Sequence, residues 1–295
     1  MKVLLVMGLG WLGISDFGIA GWQNDPRLAE FSGLTTSLSE QPAERQRMWA
    51  INDGGQPPEL FALSLSGEIL GTVAVAGVSN IDWEDIDAFR LEGKRYLAIA
   101  DVGDNAAVRD SVQIHVVREP GAPEGSVRPS WTLSVRYPDG ARDSEGIAVD
   151  AESGWIYLVD KRIVPASLYR LRLRPEPASL APDGSQLAEH VGSFSGIPEP
   201  HGDGDANDFV RYANQPTALD LSCNGLEMAL LTYAAIYRYR RAPDESWATA
   251  LARKPLRDAL PPITQAEALS YSRRCRYLYI GSEKPPVPIL KLDLR

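Results

Sequence analysis

The feature that most constrains this chain is an internal repeat. Five short segments align on one pattern: Phe31-Ser32-Gly33-Leu34, Trp83-Glu84-Asp85-Ile86, Ser144-Glu145-Gly146-Ile147, Pro216-Thr217-Ala218-Leu219 and Ala266-Glu267-Ala268-Leu269. Their key positions, 32, 84, 145, 217 and 267, are spaced by 52, 61, 72 and 50 residues. After a turn, each leads into a second apolar run, such as Met48-Trp49-Ala50-Ile51 or Ile156-Tyr157-Leu158-Val159. These runs end in Asn52-Asp53, Asp101, Asp160, Thr232 and Ser282-Glu283. Further on, apolar and polar residues alternate with period two, as in Tyr169, Leu171 and Leu173 against Arg170, Arg172 and Arg174. Such alternation between Gly-, Asp- and Ser-rich turns marks antiparallel strands. Four-stranded units at this period are the blades of a β-propeller.

The expected fold is therefore all-β: a single β-propeller of four-stranded antiparallel blades, five of them visible. A sixth has room between positions 145 and 217, where the connection from Gly196 to Asn214 carries no clear strand. The last unit stops at Arg295 after its third strand. Arg27-Leu28-Ala29-Glu30-Phe31 is the segment expected to supply the fourth, closing the ring between the chain ends and protecting both terminal edges. The one weak helical stretch is Ser246 to Ala252, ended before Pro255.

With 295 residues, 44% of them hydrophobic and 23% charged, the chain can bury a large core, which excludes disorder and a disulfide-stapled miniature. Its 30 Lys+Arg against 39 Asp+Glu give a net charge of −9, and no stretch is basic enough to attract nucleic acid.

The N-terminus admits three readings. Lys2 to Met7 followed by Gly8-Leu9-Gly10-Trp11-Leu12-Gly13 matches a strand and the dinucleotide fingerprint, which works only if a helix follows. The continuation carries Gly18, Gly21 and Pro26, and no amphipathic helix can be written through it. The favoured reading is a secretory signal, with an apolar run from Val3 to Leu12 and small residues Gly18 and Ala20 before a cut near Gly21. Residues 1–20 are then the signal and 21–295 the mature domain, periplasmic or secreted. A buried first strand is the third reading. The apolar run is too short to span a bilayer, so the mature chain carries no transmembrane segment.

First strands of a propeller line its channel, so Ser32, Glu84, Glu145, Thr217 and Glu267 are expected to meet near the axis. Three glutamates confined together repel one another, and a hard cation removes that conflict. Oxygen-only ligands favour Ca²⁺, with Mg²⁺ the alternative. The competing reading has each glutamate capping backbone groups or pairing with an arginine. Asp53, Asp101 and Asp160 at the second-strand ends form a second layer of candidate ligands, although Asp at such places is also ordinary turn chemistry. Lys161, Arg162 and Lys284 follow the same ends and read more simply as solvated charge than as holders of an anion. His201-Gly202-Asp203-Gly204-Asp205-Ala206-Asn207-Asp208 resembles the opening of a calcium loop but lacks its glycine and closing glutamate. None of the three histidines, His115, His190 and His201, joins the repeated acidic positions, and no Gly-x-Ser-x-Gly elbow occurs. Cys223 and Cys275 occupy equivalent turns of consecutive units, which permits a bridge and equally permits two free thiols.

A family resemblance rests on Asn80-Ile81-Asp82-Trp83-Glu84-Asp85, Ile99-Ala100-Asp101-Val102-Gly103-Asp104-Asn105, Asp143-Ser144-Glu145-Gly146-Ile147-Ala148 and Gln265-Ala266-Glu267-Ala268 with Ile280-Gly281-Ser282-Glu283. These resemble exported bacterial propellers similar to the phytase-like family labelled for esterase-like activity, and more remotely calcium-dependent gluconolactonases and paraoxonases. The resemblance implies an axial Ca²⁺ held by acidic and amide side chains, which maps here only onto Glu84, Glu145 and Glu267. The catalytic histidine pair of paraoxonases has no counterpart in the repeat. Two function classes follow: an exported, monomeric propeller with an axial cation that binds a small molecule or protein at one face, or a metal-dependent hydrolase of a phosphoester, ester or lactone.

Overall fold

A computed structural model describes residues 16–42, 45–199 and 212–295. The glycine motif at 8–13, most of the expected signal and the acidic loop 201–208 with His201 lie outside the described residues.

The chain opens with β1 (Phe17–Gln23) and then builds five sheets in order. Blade I is β2 (Phe31–Thr36), β3 (Arg47–Asn52), β4 (Glu59–Ser64) and β5 (Ile69–Val75). Blade II is β6 (Trp83–Leu91), β7 (Lys94–Asp101), β8 (Val112–Arg118) and β10 (Pro129–Arg136), with β9 (Gly125–Val127) in the loop before β10. Blade III is β11 (Ser144–Asp150), β12 (Trp155–Asp160), β13 (Ser167–Arg172) and β15 (Glu189–Ser193), with β14 (Gln186–Leu187) between the last two. Blade IV is β16 (Pro216–Leu221), β17 (Glu227–Thr232), β18 (Ala235–Arg240) and β19 (Leu256–Ala259). Blade V is β20 (Ala266–Tyr271), β21 (Tyr277–Ser282) and β22 (Val287–Asp293), completed by β1. The five-bladed propeller read from the repeat is the observed fold. Among the described residues there is no sixth sheet between 145 and 217; the short α1 (Trp247–Leu251), capped by Ser246, lies where helix was expected.

Each first strand packs against the next, and β20 meets β2 to close the ring. An apolar cluster fills each gap between blades, such as Trp49, Ile51, Trp83, Ile86 and Leu97 between blades I and II. Blades III and IV enclose Leu168, Leu230, Tyr237 and Trp247. This alternation of apolar faces is what the period-two pattern encodes. Two short strands clasp neighbouring blades by parallel pairing: β9 adds to β5 of blade I, and β14 adds to β10 of blade II.

The closing strand differs from expectation. β1 pairs antiparallel with β22, Phe17 opposite Leu292 and Gln23 opposite Val287, whereas Phe31 already opens blade I. The segment 27–31 cannot be that strand for a local reason. Pro26–Leu28 form a 3-10 turn with proline at its start, and Asp25 caps it by accepting the Arg27 amide at 2.9 Å. A cut near Gly21 would remove Phe17 to Ala20 from β1.

Cys223 and Cys275 are joined, with their Cα atoms 5.8 Å apart, linking the first-to-second-strand turns of blades IV and V. Cys275 (φ +50°) takes the left-handed position that Gly225 (φ +66°) takes in the matching turn of blade IV. Closing a loop of this length restricts the unfolded chain by about 4 kcal/mol on a chain-entropy account.

The closing strand gives a sharp test. A Cβ on Gly21 would fall 2.6 Å from the Ser66 carbonyl carbon of blade I, whereas one on Gly18 meets only the Lys291 oxygen at 4.0 Å. Gly21→Ala should lower stability by about 1–3 kcal/mol, and Gly18→Ala should leave the denaturation midpoint nearly unmoved. Equal midpoints for the two variants would place β1 elsewhere.

Candidate functional site

The repeat positions turn out to be a structural device. In all five blades the register between first and second strand slips at one residue: Ser32, Glu84, Glu145, Thr217 and Glu267 are each passed over by the pairing. A β-bulge bends the strand and re-aims its extra residue, so five bulges at one height present five polar side chains to one mouth of the channel. The two hydroxyls are spent on backbone. Ser32 Oγ donates to the Glu84 carbonyl oxygen, and Thr217 Oγ1 donates to that of Ala266 at 2.7 Å.

The three glutamates have different partners. Glu145 Oε1 lies 2.7 Å from Lys161 Nζ, whose side chain is only 13% exposed. Lys161 is thus a buried counter-ion rather than solvated charge; Lys284, 59% exposed, fits that description. Glu267 Oε1 accepts the Tyr233 hydroxyl at 2.7 Å, and Glu267 shares a further hydrogen bond with Glu283. Glu84 is 4% exposed, and among the described residues its carboxylate has only the Ser32 hydroxyl, 3.5 Å from Oε2.

Glu84 is common to two carboxylate groups whose oxygens lie within 4.8 Å of one another: Asp53, Asp82 and Glu84, and Glu84, Asp143 and Glu145. The second group is largely neutralised. Asp143 Oδ2 sits 2.6 Å from Arg162 Nε, its Oδ1 accepts the Asp104 amide at 2.9 Å, and Glu145 has Lys161. The first group has no ion-pair partner among the described residues, and there Asp53 accepts only the amide of Gly54. Glycine at 54 and 103 makes this crowding feasible. A Cβ on Gly103 would collide with the carboxylates of Glu84 and Asp82, and one on Gly54 with that of Asp82.

The electrostatic consequence is uniform. Burial, against the Gly54 amide and with the charges of Asp82 and Glu267, pushes Asp53 up to about 6. Burial and then Asp143 raise Asp82, and burial followed by Glu145 and Asp53 raises Glu84 well above its ordinary range. Burial lifts Glu145 to about 8 despite Lys161, and burial with the hydrogen bond and charge of Glu267 lifts Glu283 to about 9. The donor set of Asp53, Asp82 and Glu84 is all oxygen and forms no ion pair among the described residues, with the charges of Lys161 and Arg109 acting on it only from a distance. Such a set fits a hard divalent cation and not zinc.

Asp101 and Asp160 lie outside both groups. Asp101 Oδ1 is 2.8 Å from Arg109, and its carboxylate accepts the amides of Ile81 and Asp82 at 3.3 Å, holding the loop that carries Asp82. Burial works against its charge, but His115 and Arg109 prevail and keep Asp101 below the usual range. Asp160 meets Arg142 at 3.0 Å and caps the Ser167 amide at 2.8 Å, while burial raises it to about 6. Sequence reasoning passed over Asp82 and Asp143 as ligands. The signal was there: each stands two residues before its bulged glutamate, the spacing that keeps side chains on one side of an extended chain. His115 is buried against Thr132 and Asp101, and His190 lies on the outer strand β15.

Beside the carboxylates, Lys161, Arg162, Tyr212, Tyr233, Ile263 and Gln265 line a cavity of about 550 Å³, within the ordinary range for a small-molecule site. A smaller one of about 250 Å³ lies at the opposite mouth, among Thr35, Asp87, Asp220 and Ser270.

A five-bladed propeller with an acidic mouth is thus the class that fold and site define. No family model matches the chain and no curated protein matches it, so the phytase-like resemblance rests on short motifs alone. Among solved propeller structures it is similar to glutaminyl cyclase from Myxococcus xanthus (13% identity, TM-score 0.49, covering 94% of this chain and 96% of that one). It is also similar to the PQQ-bound aldose sugar dehydrogenase of Streptomyces coelicolor (12%, 0.48, 95% and 98%) and to a gluconolactonase from Xanthomonas campestris (12%, 0.43, 98% and 99%). Likenesses at this level carry no argument about activity. Among the described residues no helix is long and apolar enough to cross a membrane.

The raised carboxyls predict an inverted pH response. A carboxyl that holds its proton more tightly folded than unfolded stabilises the fold below its unfolded pKa, and that contribution is lost as pH rises through the folded value. For Glu145 and Glu283 the loss runs from the ordinary 4.5 to about 8 and about 9. In chelator, the melting temperature should therefore fall between about pH 5.5 and about pH 8.5. Glu283→Gln should flatten that fall. A melting temperature that climbs over the same interval would contradict the electrostatics described.

Proposed function

We propose that this chain is an exported β-propeller that binds a divalent cation, Ca²⁺ before Mg²⁺, through Asp53, Asp82 and Glu84, and a small ligand at the same mouth. One observation carries the reading: the carboxylates of Asp53, Asp82 and Glu84, the last buried and the other two partly buried, converge within 4.8 Å and form no ion pair among the described residues. By contrast, Glu145 and Asp143 are paired with Lys161 and Arg162, and Glu267 shares a hydrogen bond with Glu283. Keeping the first three charges together costs stability unless a cation enters or protons are held, and the raised pKa values of all three show that cost. The flexible spacing of side chains from two loops and a strand suits the looser coordination of calcium better than the strict octahedron of magnesium. Glu145 and Glu267, which the repeat alone would make ligands, serve instead as partners of Lys161 and Tyr233. Export agrees with the disulfide, since such bonds persist in oxidising compartments.

A second reading, a metal-dependent hydrolase of a phosphoester, ester or lactone, has one observation in its favour. The cavity opens on Lys161 and Tyr233 directly beside the carboxylates, where a substrate would meet both a cation and hydrogen-bond donors. Chelator-sensitive turnover of chromogenic esters or phosphoesters, lost in Asp82→Asn, would support it; calcium-loaded protein inert toward the whole panel would remove it.

Paired melting curves test the cation site. Wild type should melt higher in excess calcium than in chelator, by about 2.7 kcal/mol of added stability at a hundredfold excess over the dissociation constant. Asp82→Asn should lose that shift, because it removes a ligand. Its cation-free form should be no less stable than cation-free wild type, because a like charge has also gone. A calcium-insensitive wild type would end the proposal.

A further inference from the structure

We infer that the cavity at the acidic mouth is an oxyanion site led by Lys161, taking a small molecule with a carboxylate or phosphate group on an apolar body. An ammonium carries three N–H donors. Lys161 uses one on Glu145 and has no other protein acceptor among the described residues, although its side chain is largely buried and borders the cavity. Beyond Glu145 the ammonium has only the Tyr233 ring, 5.9 Å away, among the described residues, and the cavity is the space that can supply an acceptor for its remaining N–H groups. Gln265 adds to the donor excess: its Oε1 accepts from Lys284 Nζ, leaving its NH₂ group to donate. Arg162 contributes charge more than geometry, since Asp143 and Asn105 already occupy Nε and Nη2. The remaining walls are Tyr212, Tyr233 and Ile263, which offer ring faces and an aliphatic side chain rather than further charge. A lining rich in donors with an apolar flank selects an acceptor-bearing, partly apolar ligand.

Glu145 and Glu267 beside the cavity would repel such an anion, and a divalent charge at Asp53, Asp82 and Glu84 would offset that repulsion. The anion and the cation should therefore strengthen each other's binding reciprocally. This coupling rests on the cation reading given above; the oxyanion site itself does not.

Calorimetric titration with benzoate and with phenyl phosphate, and with benzyl alcohol as the neutral match, tests the site in calcium and in chelator. At least one of the two anions should bind, benzyl alcohol should not, and Lys161→Met should weaken the anion by about tenfold or more. Which anion binds more tightly tells carboxylate from phosphate. Ile263→Asp, on the cavity wall, provides a second variant whose folding is checked by circular dichroism, and it should also lose the anion. Removing calcium should weaken the wild-type anion affinity by about tenfold. Anion binding through Lys161 that is equally tight in chelator would uphold the oxyanion site and overturn the coupling. A calcium-stabilised wild type that binds neither anion, or a Lys161→Met variant that binds as well as wild type, would overturn the oxyanion site and leave the cation reading intact.

Discussion

Every blade of this propeller ends inward in a strand with one hydrogen-bonded neighbour. Its other edge faces the axis, where its amides and carbonyls have no second strand to pair with, and buried backbone groups demand partners. Side chains of adjacent blades supply them. Asp87 accepts the Val149 amide at 2.7 Å, Asp220 the Tyr271 amide at 2.6 Å, and Thr35 the Ala88 amide at 3.0 Å. Ser270 accepts the Thr36 amide at 2.9 Å. The interior of the ring is therefore polar by necessity, and the acidic residues along it are first of all sheet-edge partners.

Asp85 shows how far this goes. It follows the bulged Glu84, at a position where the other blades carry Gly33, Gly146, Ala218 and Ala268. Two of those must be small, since a Cβ on Gly33 would press on the Asp85 Cα at 2.8 Å and one on Gly146 on the Leu219 amide nitrogen at 2.7 Å. One longer side chain is accommodated, and it crosses the channel: Asp85 Oδ2 accepts the amides of Ile147 at 3.0 Å and Leu219 at 3.3 Å, from two different blades. The carboxylates below the bulge, Asp85, Asp87 and Asp220, thus have backbone donors. Asp53, Asp82 and Glu84 above it largely do not. A difference of one or two residues along the same strand divides a structural carboxylate from one available to a ligand.

That division explains what was legible in the sequence. Fold class, five of the blades and the five bulged positions were readable. Side chains alternate between the two faces of a strand, inner strands buried on both faces read as continuous apolar runs, and the bulge imposes a recurring local pattern. Whether a sixth blade fills the interval from 145 to 217 was not readable. The closing strand was not. Phe17–Gln23 is glycine-rich and half-exposed, so its burial pattern is faint, whereas the capped turn at Asp25–Leu28 looks apolar because Leu28 is buried. Pairing between chain ends is a tertiary fact with no local signature. The site was half readable. Glu84, Glu145 and Glu267 share one height, as the repeat implies, but which of them is paired depends on Lys161 and Tyr233, which follow the second strands of blades III and IV at a position whose residue type changes from blade to blade.

The same geometry limits what the mouth can tolerate. Raising several carboxyl pKa values in one place lowers the stability of the charged fold, and a ring whose ends parted would relieve that repulsion. Four features oppose parting: β1 across blade V, the clasps β9 and β14 on blades I and II, and the Cys223–Cys275 link between blades IV and V. Among the described residues the blade III–IV junction has neither clasp nor disulfide, and there the large side chains of Tyr237, Tyr239, Phe194 and Trp247 gather between the sheets. Lys161 and Tyr233 come from these same two blades, so the cavity sits over a joint held by that packing together with the Arg241–Asp150 ion pair at 3.4 Å and the Tyr239 hydroxyl's hydrogen bond to the Ser195 carbonyl at 2.7 Å. A packed joint of this kind is rigid while filled, and it keeps the Lys161 ammonium and the Tyr233 hydroxyl at fixed height beside Glu145 and Glu267, the carboxylates they pair with.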